Sequence, residues 1–350
     1  MLIISNRINT LNIFSLKILP YALLLPGVIS PVYAKPLDES LLQKEMQTLP
    51  QVRAFSNSIN TNNNIMPKTK FMLKRVGTAK NAVVQGIAID PRTKYLYTTN
   101  VTGKPSKGVI NRYKLDDKNN KTALDAQQPS DYIGHQGITV EPQSSKLWAS
   151  AGPGIKNHGW YAVRFDYQPN GEAKNIQTIK LFDKGYSKGT NSMPTFSPDG
   201  KYLVARSAVK KDGQSFNIIR VFDISKFNLN TTTDLSKNYL YEWSVDKSLT
   251  PTGFPFQGMA TDGKYIYMIS GYGNPNNKKL HVYTLQGKQI QNIQNLTLGK
   301  HEAFNDGIQS TWEPEGLAVT TTPQKQLMVI FATGDKGKRN ARVYSIDIND

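Results

Sequence analysis

The chain has 350 residues, of which 38% are hydrophobic and 20% are charged, a balance typical of a folded globular protein and unlike that of a disordered chain. It contains no cysteine, which excludes disulfides, thiolate catalysis and zinc or iron–sulfur sites held by cysteine. Its 43 lysine and arginine residues exceed its 26 aspartate and glutamate residues, so the formal net charge is +17. A charge of this size attracts polyanions, and we therefore expect an acidic partner.

The first 34 residues have the composition of a cleavable secretory signal. Arg7 and Lys17 precede an apolar stretch, no acidic residue occurs in this segment, and Ala34 ends a Val-Tyr-Ala sequence that fits a cleavage site. The alternative is a membrane anchor, but the apolar stretch contains two prolines and is shorter than the ~20 residues of a spanning helix. The sequence therefore predicts a signal peptide at 1–34, no transmembrane segment after cleavage, and a secreted or extracytoplasmic location in periplasm, wall or medium.

Residues 35–69 are polar and rich in asparagine, with only a short helical pattern near Leu41 to Met46. A segment with so few apolar residues cannot bury a core of its own. We predict a linker here, followed by one folded domain over residues 70–350.

From residue 82 onward, a three-part pattern recurs with a period of about fifty residues, which is typical of a repeat architecture. Its first part is a short apolar run, and its second is a β run opened by lysine after a tight turn, at 94–97, 146–149, 201–204, 264–267 and 325–328. Its third part places an aromatic residue at one fixed position, at Tyr113, Phe165, Phe222, Tyr283 and Tyr344. Since such alternation buries one face of a strand, each unit is predicted to form one antiparallel sheet.

The last unit runs to the end of the sequence without a fourth strand, whereas Phe71 to Val76 form a β run with no local partner. We expect this run to complete the last sheet and close a ring. Radially repeated four-stranded antiparallel sheets define a β-propeller. The predicted fold is therefore all-β, a five-bladed β-propeller with the N-terminal strand completing the last blade.

The innermost strand of each blade is predicted to begin beside the central axis, where polar residues recur. In four units the polar residue precedes a glycine, as Gln85, Gln136, Gln257 and Glu315, whereas the third unit has Asn191-Ser192-Met193. Glycine at this position lets neighbouring backbones approach closely. The polar ring can bind a ligand at the mouth of a pore, or it can satisfy buried strand ends and hold water, and both interpretations stay open.

Five loops are predicted on the same face as this ring, at 101–108, 152–160, 208–217, 271–279 and 332–342. They carry a clear excess of basic residues, whereas the turns at the opposite end are nearly neutral. This asymmetry in glycine-containing loops favours a binding site, although a solvated lysine face is the structural alternative. The predicted ligand-binding residues are the cations Lys210, Lys211, Lys336, Lys338 and Arg339, with Lys104, Lys107, Lys156, Lys278 and Lys279 as further cations, His135 and His158 as rim donors, and Trp160, Tyr272 and Trp312 as flat faces for sugars or as caps of the blade core.

The sequence offers little for a metal or another cofactor. Neither His135 nor His158 is followed by a second histidine or a carboxylate at ligand spacing. Calcium prefers six to eight oxygen ligands, and Glu315 among glutamines provides few of them. We expect no cofactor, with calcium as the weaker alternative.

Four stretches resemble the propeller of teichoic acid biosynthesis protein C-like proteins, a domain type also found in receptor-binding proteins of staphylococcal phages. They are GHQGITVEP from Gly134 to Pro142, FQGMATDGKYIYMISG from Phe256 to Gly271, EPEGLAV from Glu313 to Val319 and RVYSI from Arg342 to Ile346. The resemblance covers roughly residues 70–350 and implies a propeller that engages cell-surface glycopolymers, with Gln136, Gln257 and Glu315 carried over. Because an export signal is predicted and no tail-attachment region is visible, we do not expect a role in phage assembly.

The leading hypothesis is a secreted, monomeric binding module whose basic axial face recognises an anionic cell-surface polymer or glycan, of the teichoic acid type or another polymer that bears phosphate. The alternative is an extracytoplasmic propeller enzyme of the lactonase, glycosidase or glutaminyl-cyclase type, with Glu315 as its catalytic acid or base. Hydrolysis usually needs a second acid or a metal, and the sequence shows neither a nucleophile elbow nor an HExxH motif. Nucleic acid fits the charge equally well but not the predicted export.

Overall fold

The structure is a computed structural model, and it describes residues 70–116, 119–273, 278–307, 311–335 and 339–348. The predicted signal peptide and the predicted linker lie outside the described residues, so both stay predictions.

The strands form five antiparallel sheets, which we number as blades I to V in chain order. Strand β1 (Phe71–Lys74) precedes blade I and belongs to blade V. Blade I consists of β2 (Val83–Asp90), β3 (Tyr95–Thr102), β4 (Lys107–Lys114) and β6 (Asp125–Ser130), with the short strand β5 (Asn120–Thr122) in between along the chain. Blade II consists of β7 (Ile133–Val140), β8 (Leu147–Ala151), β9 (Tyr161–Asp166) and β10 (Lys174–Lys180).

Blade III consists of β11 (Thr195–Phe196), β12 (Tyr202–Lys211), β13 (Gln214–Asp223) and β14 (Tyr241–Ser244). Blade IV consists of β15 (Phe256–Thr261), β16 (Tyr265–Ser270), β17 (Lys278–Thr284) and β18 (Gln289–Leu296). Blade V consists of β19 (Trp312–Thr320), β20 (Gln326–Thr333), β21 (Asn340–Asp347) and then β1. The first strands of the five blades contact one another in the cyclic order β2, β7, β11, β15, β19 and back to β2, so they surround one axis. The predicted five-bladed propeller is confirmed.

The N-terminal strand closes the ring, as predicted. Phe71 pairs with Val343 and Leu73 with Ala341 in an antiparallel register, so the two ends of the domain share one sheet. Strand β5 then adds a parallel pairing on the outer side of β1, with Leu73 opposite Lys121. The sequence did not predict β5, because its three residues are all polar and carry no strand pattern.

Most of the core lies within and between the blades. The five aromatic residues at the repeated third-strand position are all buried, with 0% to 2% of each residue exposed. They pack in five hydrophobic clusters, so each blade contributes the same kind of side chain to the same layer. Helical structure among the described residues is short, namely α1 (Lys300–Asn305) and three 3₁₀ turns at Gly77–Ala79, His158–Trp160 and Ile224–Lys226. None of the helices in the described ranges is both long and apolar enough to cross a membrane.

Candidate functional site

The axis is closed by a collar of glycines at the start of the inner strands. A Cβ atom on Gly316 would lie 2.9 Å from the Cα atom of Gly86, and one on Gly258 would lie 2.8 Å from the Cα atom of Gly316. Gly137, whose φ is +86°, approaches Met193 of the divergent third unit in the same way. The cavity at this level has a volume of about 10 Å³, room for one water at most. The predicted close approach of backbones is confirmed, but it leaves no open pore at this level.

The polar residues of the ring occupy β-bulges. Gln257 is the extra residue between Phe256 and Gly258, which pair with the consecutive residues Ser270 and Ile269. The same irregularity occurs at Gln85 in β2 and at Glu315 in β19, and the register of β7 shifts across Gln136. A bulge changes the direction of a side chain that would otherwise alternate along the strand. This explains why one residue in each of these inner strands departs from the apolar pattern around it.

Two of the ring residues belong to a chain of hydrogen bonds on this side of the collar. The Gln136 Nε2 atom donates to Gln257 Oε1 at 2.6 Å, and Gln257 Nε2 donates to Glu313 Oε1 at 2.7 Å. Arg339 then pairs with the other Glu313 oxygen at 3.3 Å. Burial raises the pKa of Glu313, and Arg339 opposes this shift. The sequence reasoning missed Glu313, although it lies in the same EPEG stretch as Glu315.

Glu315, predicted to bind a ligand or to act as a catalytic acid or base, is enclosed by protein. The residue is 1% exposed, and neither carboxyl oxygen has a hydrogen-bond partner among the described protein atoms. Burial, reinforced by the negative charge of Glu313, raises its pKa well above the ordinary value. Glu315 lines the cavity of about 10 Å³ at the collar, a volume too small for a sugar ring.

Oxygen atoms of Glu315 and Gln85 near the axis have no hydrogen-bond partner among the described protein atoms. Gln85 is buried, as Glu315 is. Within the described ranges, histidine, aspartate and glutamate residues nowhere form a group of three that could hold a metal ion.

Two adjoining cavities open on the axial face, which we define as the face formed by the starts of the inner strands and the loops between the second and third strands. The larger cavity, of about 560 Å³, is lined by polar side chains that include Gln136, Arg206 and Asn217. The smaller, of about 320 Å³, is lined by Lys107, His135 and His158 among others. Gly189 and Asn191 line both cavities. None of the described residues lining either cavity is an aspartate or a glutamate.

Arg206 is the functional candidate that the sequence reasoning missed. It lies in the middle of β12, where its guanidinium is 4.4 Å from the ring centre of Phe256. Its Nε atom donates to Asn217 Oδ1 at 3.0 Å, and Asn217 in turn donates to Thr250 Oγ1 at 3.2 Å. Desolvation alone lowers the pKa of Arg206 to about 10, and the group stays charged at neutral pH. A charged residue inside an apolar strand is the signal that could have identified it.

The structure gives the remaining predicted residues different positions. His135 and His158 line the smaller cavity, in agreement with their predicted place on the rim. Trp160 is half-buried and its indole donates to the carbonyl of Tyr186 at 3.0 Å. Two cations and one aromatic residue are exposed but lie outside both cavity linings, namely Lys210, Lys211 and Tyr272.

Two residues predicted on the axial surface are instead part of the core. Trp312 is fully buried, stacks on Phe331 and donates to the Leu298 carbonyl at 3.0 Å, so its ring is not open to a sugar. Lys278 begins β17 rather than lying in a loop, and its ammonium group is 4.5 Å from the Trp312 ring centre. Burial lowers the pKa of Lys278 to about 8. Lys336 and Lys338 lie outside the described residues, so their roles stay predictions.

Comparison with known protein families assigns this propeller to one of them. Residues 83–345 match the phage 5-bladed beta propeller receptor binding platform domain. The chain belongs to this family. The match supports the propeller family expected from the sequence, whereas the resemblance to teichoic acid biosynthesis protein C-like proteins stays a prediction.

We also compared the chain with curated proteins and with solved structures. No curated protein matches the sequence. The chain is similar to the endo-arabinase from Bacteroides thetaiotaomicron, with 10% identity, a TM-score of 0.48, and coverage of 81% of this chain and 99% of the enzyme. It is also similar to a chain of a nidogen/laminin complex, with 13% identity, a TM-score of 0.37, and coverage of 76% and 84%. At these values neither similarity bears on function.

Proposed function

We propose that this chain is an extracytoplasmic receptor-binding module that recognises an anionic cell-surface glycopolymer through its axial face. The proposal combines the family of receptor-binding propellers with the charge of this face. The observation that carries it is the pair of adjoining cavities, which contain arginine, lysine and histidine side chains but no carboxylate among their described lining residues. An uncompensated cationic cavity favours a ligand that brings its own negative charge.

The polar lining fits the rest of such a polymer. Carboxamide and hydroxyl groups of Gln136, Asn191 and Thr250 can donate to or accept from sugar or polyol hydroxyls. Phe256 supplies an apolar wall in the same cavity. The predicted signal peptide supports an encounter with this ligand outside the cytoplasm.

The experiment is a titration of the purified chain with soluble glycerol phosphate polymer, with uncharged dextran as the control polymer. The affinity should fall as salt rises from about 50 mM to about 500 mM, because the Debye length falls several-fold over this range. Replacing Lys107, which lines the smaller cavity, by glutamine should weaken binding at low salt relative to the wild-type chain. Binding that is independent of salt, or equal for dextran, would contradict the proposal.

A further inference from the structure

We infer that the larger axial cavity is an oxyanion subsite, in which the guanidinium of Arg206 binds a phosphate or carboxylate group of the receptor. This inference rests on the proposed function and assigns one subsite within the axial face.

Arg206 is fixed before any ligand binds. Phe256 covers one side of the guanidinium plane at 4.4 Å, and Asn217 accepts a hydrogen bond from Nε. Thr250 in turn accepts a hydrogen bond from Asn217 at 3.2 Å, which holds the amide in place. A guanidinium held in this way has lost much of its rotamer freedom already, so less entropy is lost when an oxyanion binds.

The charge of Arg206 is not compensated within the described part of the chain. None of the carboxylates placed there forms an ion pair with it, and its other polar contact is Nη1 with the Met193 sulfur at 3.8 Å. Two other arginines of the blades behave differently, since Arg164 pairs with Glu141 and Arg220 with Glu242. Desolvation without a counterion is unfavourable for a cation, and a bound oxyanion would relieve it.

The ligand is identified by chemistry as an oxyanion that can take two parallel N–H donors from one guanidinium. Phosphate and carboxylate both have this geometry. The cavity of about 560 Å³ has room for a charged group together with the sugar or polyol unit that carries it. The probes are therefore glycerol phosphate polymer for the phosphate arm and polygalacturonate for the carboxylate arm.

The test compares four variants with the wild-type chain by calorimetric titration. Arg206→Met should reduce affinity for the preferred probe by about 10- to 100-fold, the value of a charge-assisted hydrogen-bonded pair. Arg206→Lys should lose part of this affinity, because lysine cannot donate in a bidentate manner. Lys174→Met removes an equal charge from the exposed start of outer strand β10 and should change affinity less than about twofold.

The Asn217→Asp variant tests whether a loss of affinity could come from misfolding instead of from the loss of the oxyanion contact. It keeps the shape of the amide but places a carboxylate beside Nε, so it should raise the melting temperature and still weaken oxyanion binding by about tenfold or more. Wild-type affinity in both Asn217→Asp and Arg206→Met would overturn the subsite while leaving salt-dependent polymer binding, and thus the proposed function, intact. If the wild-type chain bound neither of the two probes, the subsite and the proposed function would both be overturned.

Discussion

Gln136 of blade II and Gln257 of blade IV are joined by a hydrogen bond of 2.6 Å, although blade III lies between these two blades in the cyclic order. This is possible because blade III has no glutamine in the ring and its inner strand β11 spans only Thr195–Phe196. Gln257 also donates to Glu313, so hydrogen bonds connect Gln136, which lines the larger cavity, to this buried carboxylate of blade V. The polar ring is therefore an asymmetric, hydrogen-bonded part of the core as well as a wall of the site.

Replacing Gln257 by alanine should lower the free energy of unfolding by about 1–3 kcal/mol, because the half-buried Gln136 and the buried Glu313 each lose a hydrogen-bond partner. Urea denaturation followed by tryptophan fluorescence measures the change. Gln286→Ala, at an exposed position with a hydrogen bond of 3.3 Å, should stay within about 0.5 kcal/mol of wild type. Equal effects of the two substitutions would show that the ring hydrogen bonds contribute nothing to stability.

The glycine collar should tolerate no added carbon. In Gly316→Ala the new Cβ atom would meet the backbone of Gly86 at 2.9 Å, so we expect a loss of about 1–3 kcal/mol in the free energy of unfolding. Gly171→Ala is the matched control, since its nearest neighbour, in Gln168, would lie 3.5 Å away. Chemical denaturation of both variants checks the difference, and an unchanged Gly316→Ala would mean that the inner strands are further apart than described.

Glu315→Gln should stabilise the protein at neutral pH. Burial and Glu313 raise the pKa of Glu315 above its ordinary value, so the folded state holds the proton more tightly than the unfolded state. The sign follows from linkage: this contribution is fully present below the unfolded pKa and is lost as pH rises through the folded pKa. Melting temperatures measured from pH 4 upward should therefore fall less steeply in the variant.

The exposed Glu172→Gln serves as the control for this pH series and should leave the profile unchanged. If Glu315→Gln and wild type lost stability in parallel as the pH rises, ionisation of Glu315 would not destabilise the folded state. The enclosed position described for its carboxyl group would then be wrong.

Closure of the ring should depend on β1. Leu73→Ala removes a side chain that is 5% exposed and lies where β1 joins β21, so a loss of about 2–5 kcal/mol is expected. Leu124→Ala, at a residue that is 54% exposed, should change stability little. Thermal denaturation of both proteins compares them. A Leu73→Ala chain as stable as Leu124→Ala would mean that the N-terminal strand does not hold the last blade.

The sequence predicted those parts of the molecule that repeat. Five lysine-opened β runs and five aromatic residues at one position identify blades because each blade solves the same packing problem. The recurrence of a polar residue before glycine located the axial ring, and the bulges explain why such residues interrupt apolar strands. Closure by Phe71–Lys74 was predictable from a strand without a partner.

What the sequence could not predict depends on contacts between blades. Arg206 appears as one charge in a strand, and only the positions of Asn217 and Phe256 show that it faces a cavity. Lys278 and Trp312 appear as loop residues in the sequence. In the structure both are buried, and the Lys278 ammonium group lies over the Trp312 ring. Basic composition therefore predicted a binding face, but it did not show which of the cations on that face are buried.

Amide hydrogen exchange with and without glycerol phosphate polymer tests the central claim most directly, because it maps the bound surface without any substitution. We expect added protection at 101–108, 189–191 and 250–256, three of the segments that contribute to the lining of the two axial cavities. The turns at the opposite end, at 90–95, 141–146 and 197–201, should exchange at the same rate in both samples. Protection confined to those turns, or spread evenly over the blades, would contradict recognition through the axial face.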